Sequence, residues 1–206
     1  MGRKITSLLF LLISVTAFSQ FRSSEQYSIE GDFGLSGAMN PSMSGLNHLG
    51  VGFRYMADDL WGFKGDLASD RFRESGTEAG TNYTRFSVQA VYNAGRALYV
   101  PDMTNGYVNF LVHGGVGYSY LKSTRKSGID NIGNVIIGVT PQFYISSRLA
   151  VHLDASYIFN IKQHYDFDGF YHDGGLEESG FVGQMFTASI GLTLYLGRNG
   201  SDNDWR

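Results

Sequence analysis

The stretch Leu149–Ile161, LAVHLDASYIFNI, decides the fold. Leu149, Val151, Leu153, Ala155, Tyr157, Phe159 and Ile161 alternate with a second set that holds His152, Asp154, Ser156 and Asn160. A period of two places the sets on opposite faces of one β-strand. Soluble strands average ~5–6 residues, whereas a tilted strand crossing a bilayer needs ~9–11. This run is long enough to cross.

The same pattern recurs on both sides. Tyr27, Ile29, Phe33 and Leu35 alternate with Ser28, Glu30, Asp32 and Ser36. Leu49, Val51, Phe53 and Tyr55 enclose Gly50, Gly52 and Arg54. Val108, Phe110, Val112, Val116, Tyr118 and Tyr120 face away from Asn109, His113, Gly115, Gly117 and Ser119. Val182, Phe186, Ala188, Ile190, Leu192, Leu194 and Leu196 oppose Thr187, Ser189, Gly191 and Thr193. Further runs at Leu60–Phe72, Tyr83–Asn93 and Asn134–Ile145, the first two less regular, bring the total to about eight strands. The fold class is all-β, an antiparallel up-and-down transmembrane β-barrel.

Connections alternate in length. Ala57–Asp59 and Ser146–Arg148 are tight turns, and Gly95–Gly106, with Pro101, is a longer one on the same side. The other side carries long connections near 38–47, 73–82, 122–131 and 164–180. Short periplasmic turns and long outer loops are the arrangement of outer-membrane barrels.

An apolar strand face can meet a core or lipid. Here the polar face mixes Gly50, Gly52, Gly115, Gly117, Gly138 and Gly191 with single charges of both signs. A water-facing surface would carry more Lys and Glu and less Gly. Small residues among opposed charges suit a narrow lumen with ions paired across it. The expected inward set is Glu30, Asp32, Arg54, Lys64, Asp66, Arg85, His113, His152, Asp154 and Lys162. Two aromatic girdles are expected at the bilayer interfaces. Tyr55, Trp61, Phe63, Tyr92, Phe143 and Tyr195 would form one, and Phe72, Tyr118, Tyr120, Phe159, Tyr165 and Phe181 the other.

Residues 1–19 have the features of a signal peptide: Arg3 and Lys4, an apolar run from Ile5 to Val15, then Ala17-Phe18-Ser19. The expected division is signal peptide 1–19, barrel 20–197 and periplasmic tail 198–206. Without Arg3 and Lys4 the 16 basic residues fall to 14 against 19 acidic ones, a net charge of −5 that argues against a nucleic-acid partner. The sequence holds no Cys, which excludes disulfides, thiolate metal sites, a cysteine nucleophile and a lipoprotein anchor.

The segments IIGVTPQFYISSRLAVHLDASYIFNIKQHYDFDG (Ile136–Gly169) and ASIGLTLYLG (Ala188–Gly197) resemble the OmpA-type outer-membrane barrel domain. Gly138, Thr140, Pro141 and Gln142, with Gln163-His164-Tyr165, carry the resemblance, which covers essentially all of the mature chain. Asp204-Trp205 resembles the point where relatives leave the barrel, often for a peptidoglycan-binding domain. The resemblance implies a barrel-only member or a piece of a longer chain, a structural envelope role with a narrow ion-paired lumen, and no catalytic residues. Expected partners are outer-membrane lipid and lipopolysaccharide, with other outer-membrane or periplasmic proteins as further candidates.

Three clusters invite chemistry. His164, Asp166, Asp168, Gly169, His172, Asp173, Glu177 and Glu178 carry oxygen and imidazole donors, but only Asp-x-Asp-Gly resembles a calcium loop, so a solvated acidic loop is the expectation. The glycine-rich run His113–Tyr118 lies within a strand and lacks the helix a phosphate loop requires. His152, Asp154 and Ser156 share a strand face, which stacks them along the barrel without orienting a base toward a nucleophile. His164, His172 and Ser179 are the one place to look for a hydrolase at the outer rim. No catalytic, cofactor or metal site is expected. The leading reading is a structural, non-enzymatic barrel with long outer loops. Alternatives are a small-solute or ion channel, a subunit of a larger outer-membrane assembly, and a membrane-embedded hydrolase or acyltransferase.

Overall fold

A computed structural model describes residues 26–172 and 180–196. The signal peptide 1–19, the tail 198–206, and Asp173, Glu177, Glu178 and Ser179 lie outside the described residues. Eight strands form one closed antiparallel barrel in sequence order: β1 Gln26–Met39, β2 Ser42–Met56, β3 Trp61–Arg73, β4 Gly80–Tyr92, β5 Val108–Ser123, β6 Ile129–Ser146, β7 Leu149–Gln163 and β8 Phe181–Tyr195. β1 pairs with β8 from Ser28↔Tyr195 to Ala38↔Met185, so closure leaves no open edge.

The barrel is inside out. Val116 and Phe63 on the exterior are 64% and 60% exposed, whereas Glu30 and Arg54 in the interior are 1% exposed. Exposed apolar side chains encircle the wall on every strand, among them Phe33, Leu49, Leu67, Phe86, Val135, Leu153 and Leu192. Water does not tolerate an apolar belt of that extent, and a bilayer does. Among the described residues no helix is long and apolar enough to cross a membrane.

At one end, the base, lie Gln26 and Tyr195 and the connections 57–60, 93–107 and 147–148; the other end is the mouth. At the base, Asp58 Oδ1 accepts from the backbone N–H groups of Leu60 (2.8 Å) and Trp61 (2.7 Å), which fixes the turn into β3. The β4–β5 connection folds into two short helices, α1 Ala94–Ala97 and α2 Val100–Met103. Asn93 caps α1 by accepting from Arg96 N at 3.0 Å, and Pro101 starts α2 where its missing N–H is harmless.

The mouth departs from the expected long loops. β1 and β2 reach Met39 and Ser42, so residues 40–41 alone connect them where 38–47 was expected. The β3–β4 and β5–β6 connections shrink to 74–79 and 124–128. Only the β7–β8 connection, 164–180, is long. The strand ends near the mouth are polar and resemble loop in composition, yet they pair in register as far as Arg73↔Gly80 and Lys122↔Ile129.

Three expected orientations are corrected. A bulge between Asn160 and Gln163 leaves both Ile161 and Lys162 outside, so Lys162 leaves the inward set and Gln163 turns in. Phe72 and Tyr195, expected in the girdles, are 1% and 2% exposed and fill the two ends of the lumen. Phe72 shares the parity of Asp66 and Asp70, and Tyr195 that of Thr193, so each inherits the interior face.

Candidate functional site: the lumen and its closures

The lumen is a stack of side chains. Near the base, Met56, Val91 and Leu111 form one buried apolar cluster, and Ala150 and Tyr195, with Tyr144 against them, form another. Above them sit the charges. Glu30 of β1 meets Arg54 Nη1 of β2 at 3.2 Å and Lys64 Nζ of β3 at 3.1 Å. Arg54 Nε also donates to Ser28 Oγ at 3.3 Å, and with its amide turned Gln142 of β6 accepts from the same guanidinium at 3.1 Å. Every charge here has an opposite within reach, which makes burial tolerable.

A second network crosses beside it. Asp66 accepts from Ser87 Oγ (2.6 Å) and Gln89 Nε2, and Gln89 Oε1 lies 2.6 Å from His113 Nδ1. His113 Nε2 reaches Asp154 Oδ2 at 3.0 Å, and Asp154 also accepts from Thr140 Oγ1 (2.8 Å) and Ser156 Oγ (2.6 Å). Nearer the mouth, His48 stands between two carboxylates, with Nδ1 2.8 Å from Asp70 and Nε2 3.1 Å from Asp32. A void of about 20 Å³ remains between these networks, bordered by Lys64, Asp66, Arg85, His113 and Asp154. That is room for about one water molecule.

Toward the mouth the lumen turns amphipathic, then apolar. Tyr83 Oη donates to Asn160 Oδ1 at 2.9 Å and accepts from Ser119 Oγ (2.8 Å) and Asn134 Nδ2 (2.9 Å). Around it pack Ala38, Phe72, Leu121, Ile132, Ile136, Ile158 and Met185. The connection after β7 completes this layer. Phe167 is 0% exposed, with its ring 4.7 Å from that of Phe72 and 6.3 Å from that of Tyr83. The backbone carrying it is tied down: Phe167 O accepts from Thr81 Oγ1 (3.0 Å), Gly169 O from Ser123 Oγ (2.7 Å) and Asp168 O from Arg125 Nε (3.0 Å). Arg125 also stacks over Phe170 and pairs with Glu74.

The suspected clusters are dispersed. His164 pairs with Asp130 at 2.8 Å and His172 with Asp166 at 3.0 Å, in separate contacts. Among the described residues no three metal-ligating side chains converge. His113–Tyr118 lies within β5. His152 Nδ1 turns to Thr193 Oγ1 at 2.9 Å, and the ring on Asp154 is His113. Ser156 donates to the carboxylate itself, so Asp154 sits between hydroxyl and imidazole, where a nucleophile and its base would have to touch. The inward charges Glu30, Asp32, Arg54, Lys64, Asp66, Arg85, His113, His152 and Asp154 do converge on the lumen. His48, Asp70, Gln89 and Gln142 belong with them, and Phe167 closes the mouth. Asp70 shares the parity of Lys64 and Asp66, and Gln89 that of Arg85, which is the signal that marks them as inward.

No protein-family model and no curated protein match the sequence. Solved structures do match in fold. Neisserial surface protein A is 9% identical, aligned over 84% of this chain and 97% of its own, with a TM-score of 0.53. A major outer membrane protein from Thermus thermophilus is 12% identical, aligned over 84% of this chain and 99% of its own, with a TM-score of 0.56. At these identities the likeness is one of fold. The chain has the fold of the OmpA-like eight-stranded outer-membrane barrels.

Proposed function

We propose that this chain is a structural, non-enzymatic barrel of the outer membrane, exported by the signal peptide at 1–19, with its base in the periplasm and its mouth outside. The sealed lumen carries the reading: ion-paired networks fill it, apolar layers close both ends, and the described interior void holds about 20 Å³. An eight-stranded barrel is just wide enough for side chains to fill. The apolar exterior and the fold of the neighbours support the outer membrane as its location, with outer-membrane lipid and lipopolysaccharide as its surroundings.

Reconstitution into a planar bilayer tests the closed lumen, with rare, small conductance steps at most as the expected result. A steady, large, ion-selective current would make the chain a channel. Membrane fractionation with N-terminal sequencing tests export, with Gln20 as the expected first residue in the outer-membrane fraction. Recovery in the inner membrane with Met1 intact would overturn the location.

A further inference from the structure

On the outer wall near the mouth, the registers bring Arg71 of β3, Asn82 of β4 and Lys122 of β5 into one row. Arg71 and Lys122 are exposed and Asn82 half-buried. Arg71 follows Trp61, and Asn82 precedes Tyr92, by the same stretch of strand. That stretch is ~33 Å along the chain at ~3.3 Å per residue, hence a height of ~25 Å at a tilt near 40°. The apolar band of such barrels is ~25 Å tall. With Trp61 and Tyr92 in the girdle at the base, their rings 4.7 Å apart, the Arg71–Lys122 row falls where hydrocarbon gives way to headgroups. One row deeper lie Ser69, Thr84, Tyr120 and Asn131, and below them the apolar surface of Leu67, Phe86 and Tyr118.

Arg73 adds a third, fixed cation. Its Nη1 donates to Phe72 O (2.8 Å) and Thr81 O (2.7 Å), and its Nη2 to Asn82 Oδ1 (2.6 Å). Three of five N–H donors hold the guanidinium over the row, leaving two for a ligand. Among the described residues no carboxylate pairs with Arg71, Arg73 or Lys122, and the neighbouring Glu74 is engaged by Arg125. Strands lie ~4.8 Å apart, so Arg71 and Lys122 flank Asn82 with Cα atoms ~10 Å apart. Two long side chains closing from that distance fit one phosphate, with the arginine forks matched to its oxygens.

We propose that Arg71, Arg73 and Lys122 form a lateral site for the phosphate headgroup of a membrane lipid, whose acyl chains run down the wall over Leu67, Phe86 and Val116. This rests on the membrane reading above. The test is to refold the barrel into phosphatidylcholine vesicles containing a minority of phosphatidic acid, and to identify retained lipid by native mass spectrometry. The protein is expected to retain phosphatidic acid in preference to phosphatidylcholine. R71Q/K122Q should lower that preference about tenfold or more, and R71K/K122R should keep most of it. K162Q, which removes the exposed cation of β7, should behave as the parent. An undiminished preference in R71Q/K122Q, or an equal loss in K162Q, overturns the site. Displacement of the lipid by millimolar inorganic phosphate would also overturn it, by assigning the cations to a free anion. Failure to enter vesicles at all would count against the membrane reading; entry without headgroup preference counts against the site alone.

Discussion

Asp154 Oδ2 on β7 lies 3.0 Å from His113 Nε2 on β5, with a whole strand, β6, between them. The register puts His113, Gly138 and Ser156 in one row, so the imidazole must pass over Gly138 to reach the carboxylate. A Cβ at Gly138 would stand 2.5 Å from His113 Cε1, 2.6 Å from its Nε2 and 2.7 Å from Ser156 Oγ, distances that Cβ atoms do not adopt. The pair exists because β6 has no side chain there.

Gly138→Val should therefore break the His113–Asp154 contact and leave a buried charged group without its partner. Losing one side of a buried pair costs about 3–5 kcal/mol, and equilibrium denaturation in lipid vesicles reads that directly. A Gly138→Val barrel as stable as the parent would mean that His113 reaches Asp154 by another path.

The wall orientation has its own test. Leu153 faces outward at mid-strand and Ser156 inward, with its hydroxyl on Asp154 at 2.6 Å. Leu153→Arg should cost about 2–4 kcal/mol in a bilayer, because the cation enters hydrocarbon near the midplane. Ser156→Ala should cost about 1 kcal/mol, the net worth of one hydrogen bond, since Asp154 keeps His113 and Thr140. Equal stability of Leu153→Arg and the parent in lipid would show that this face does not meet hydrocarbon.

The alternation along Leu149–Ile161 was enough to define the strand type, and parity placed nearly all the buried charges. Parity failed where strands bulge. Leu46 and Asn47 are both exposed beside the register shift at Gly34–Ser36, which masks the alternation and hid the start of β2 together with His48. The same device reverses Lys162. Which inward groups pair is set by register around the closed wall, so His113 finding Asp154 over Gly138 has no local signature. Phe167 has none either: it lies in a connection with no period, and its burial depends on Phe72, Tyr83 and the hydroxyls of Thr81 and Ser123, all distant in sequence.

Phe167→Ala should release the mouth closure while leaving the barrel assembled. Removing a buried Phe costs about 3–5 kcal/mol, and the loss here falls on a connection held otherwise by polar contacts to Thr81, Ser123, Arg125 and Asp130, so it should appear as local opening. Limited proteolysis should cleave between His164 and His172 faster than in the parent, with the denaturation midpoint of the barrel little changed. Unchanged cleavage would mean that the polar contacts of this connection hold the closure without Phe167. Conductance should stay low in either outcome, because the charged layers lie below Phe167.

Those layers have a hub. Glu30 is the carboxylate shared by Arg54 and Lys64, at 3.2 and 3.1 Å, with all three groups buried. Glu30→Gln keeps the volume and takes the shared carboxylate from two neighbouring cations in a space with no bulk water. The cost should be about 3–5 kcal/mol, at the upper end because two charges lose one partner. Adding Lys64→Met removes one of the two cations while Arg54 keeps its contacts to Ser28 and Gln142, so the double variant should regain part of the loss. Denaturation of both variants in the same vesicles gives the comparison. A double variant no more stable than Glu30→Gln would show that Lys64 does not depend on Glu30. Neither variant should carry steady current across a planar bilayer, since Met56, Val91 and Leu111 still close the base and Phe72 and Phe167 the mouth. An open, steady conductance in Glu30→Gln would place the barrier to ions in this one carboxylate and not in the apolar layers at the two ends.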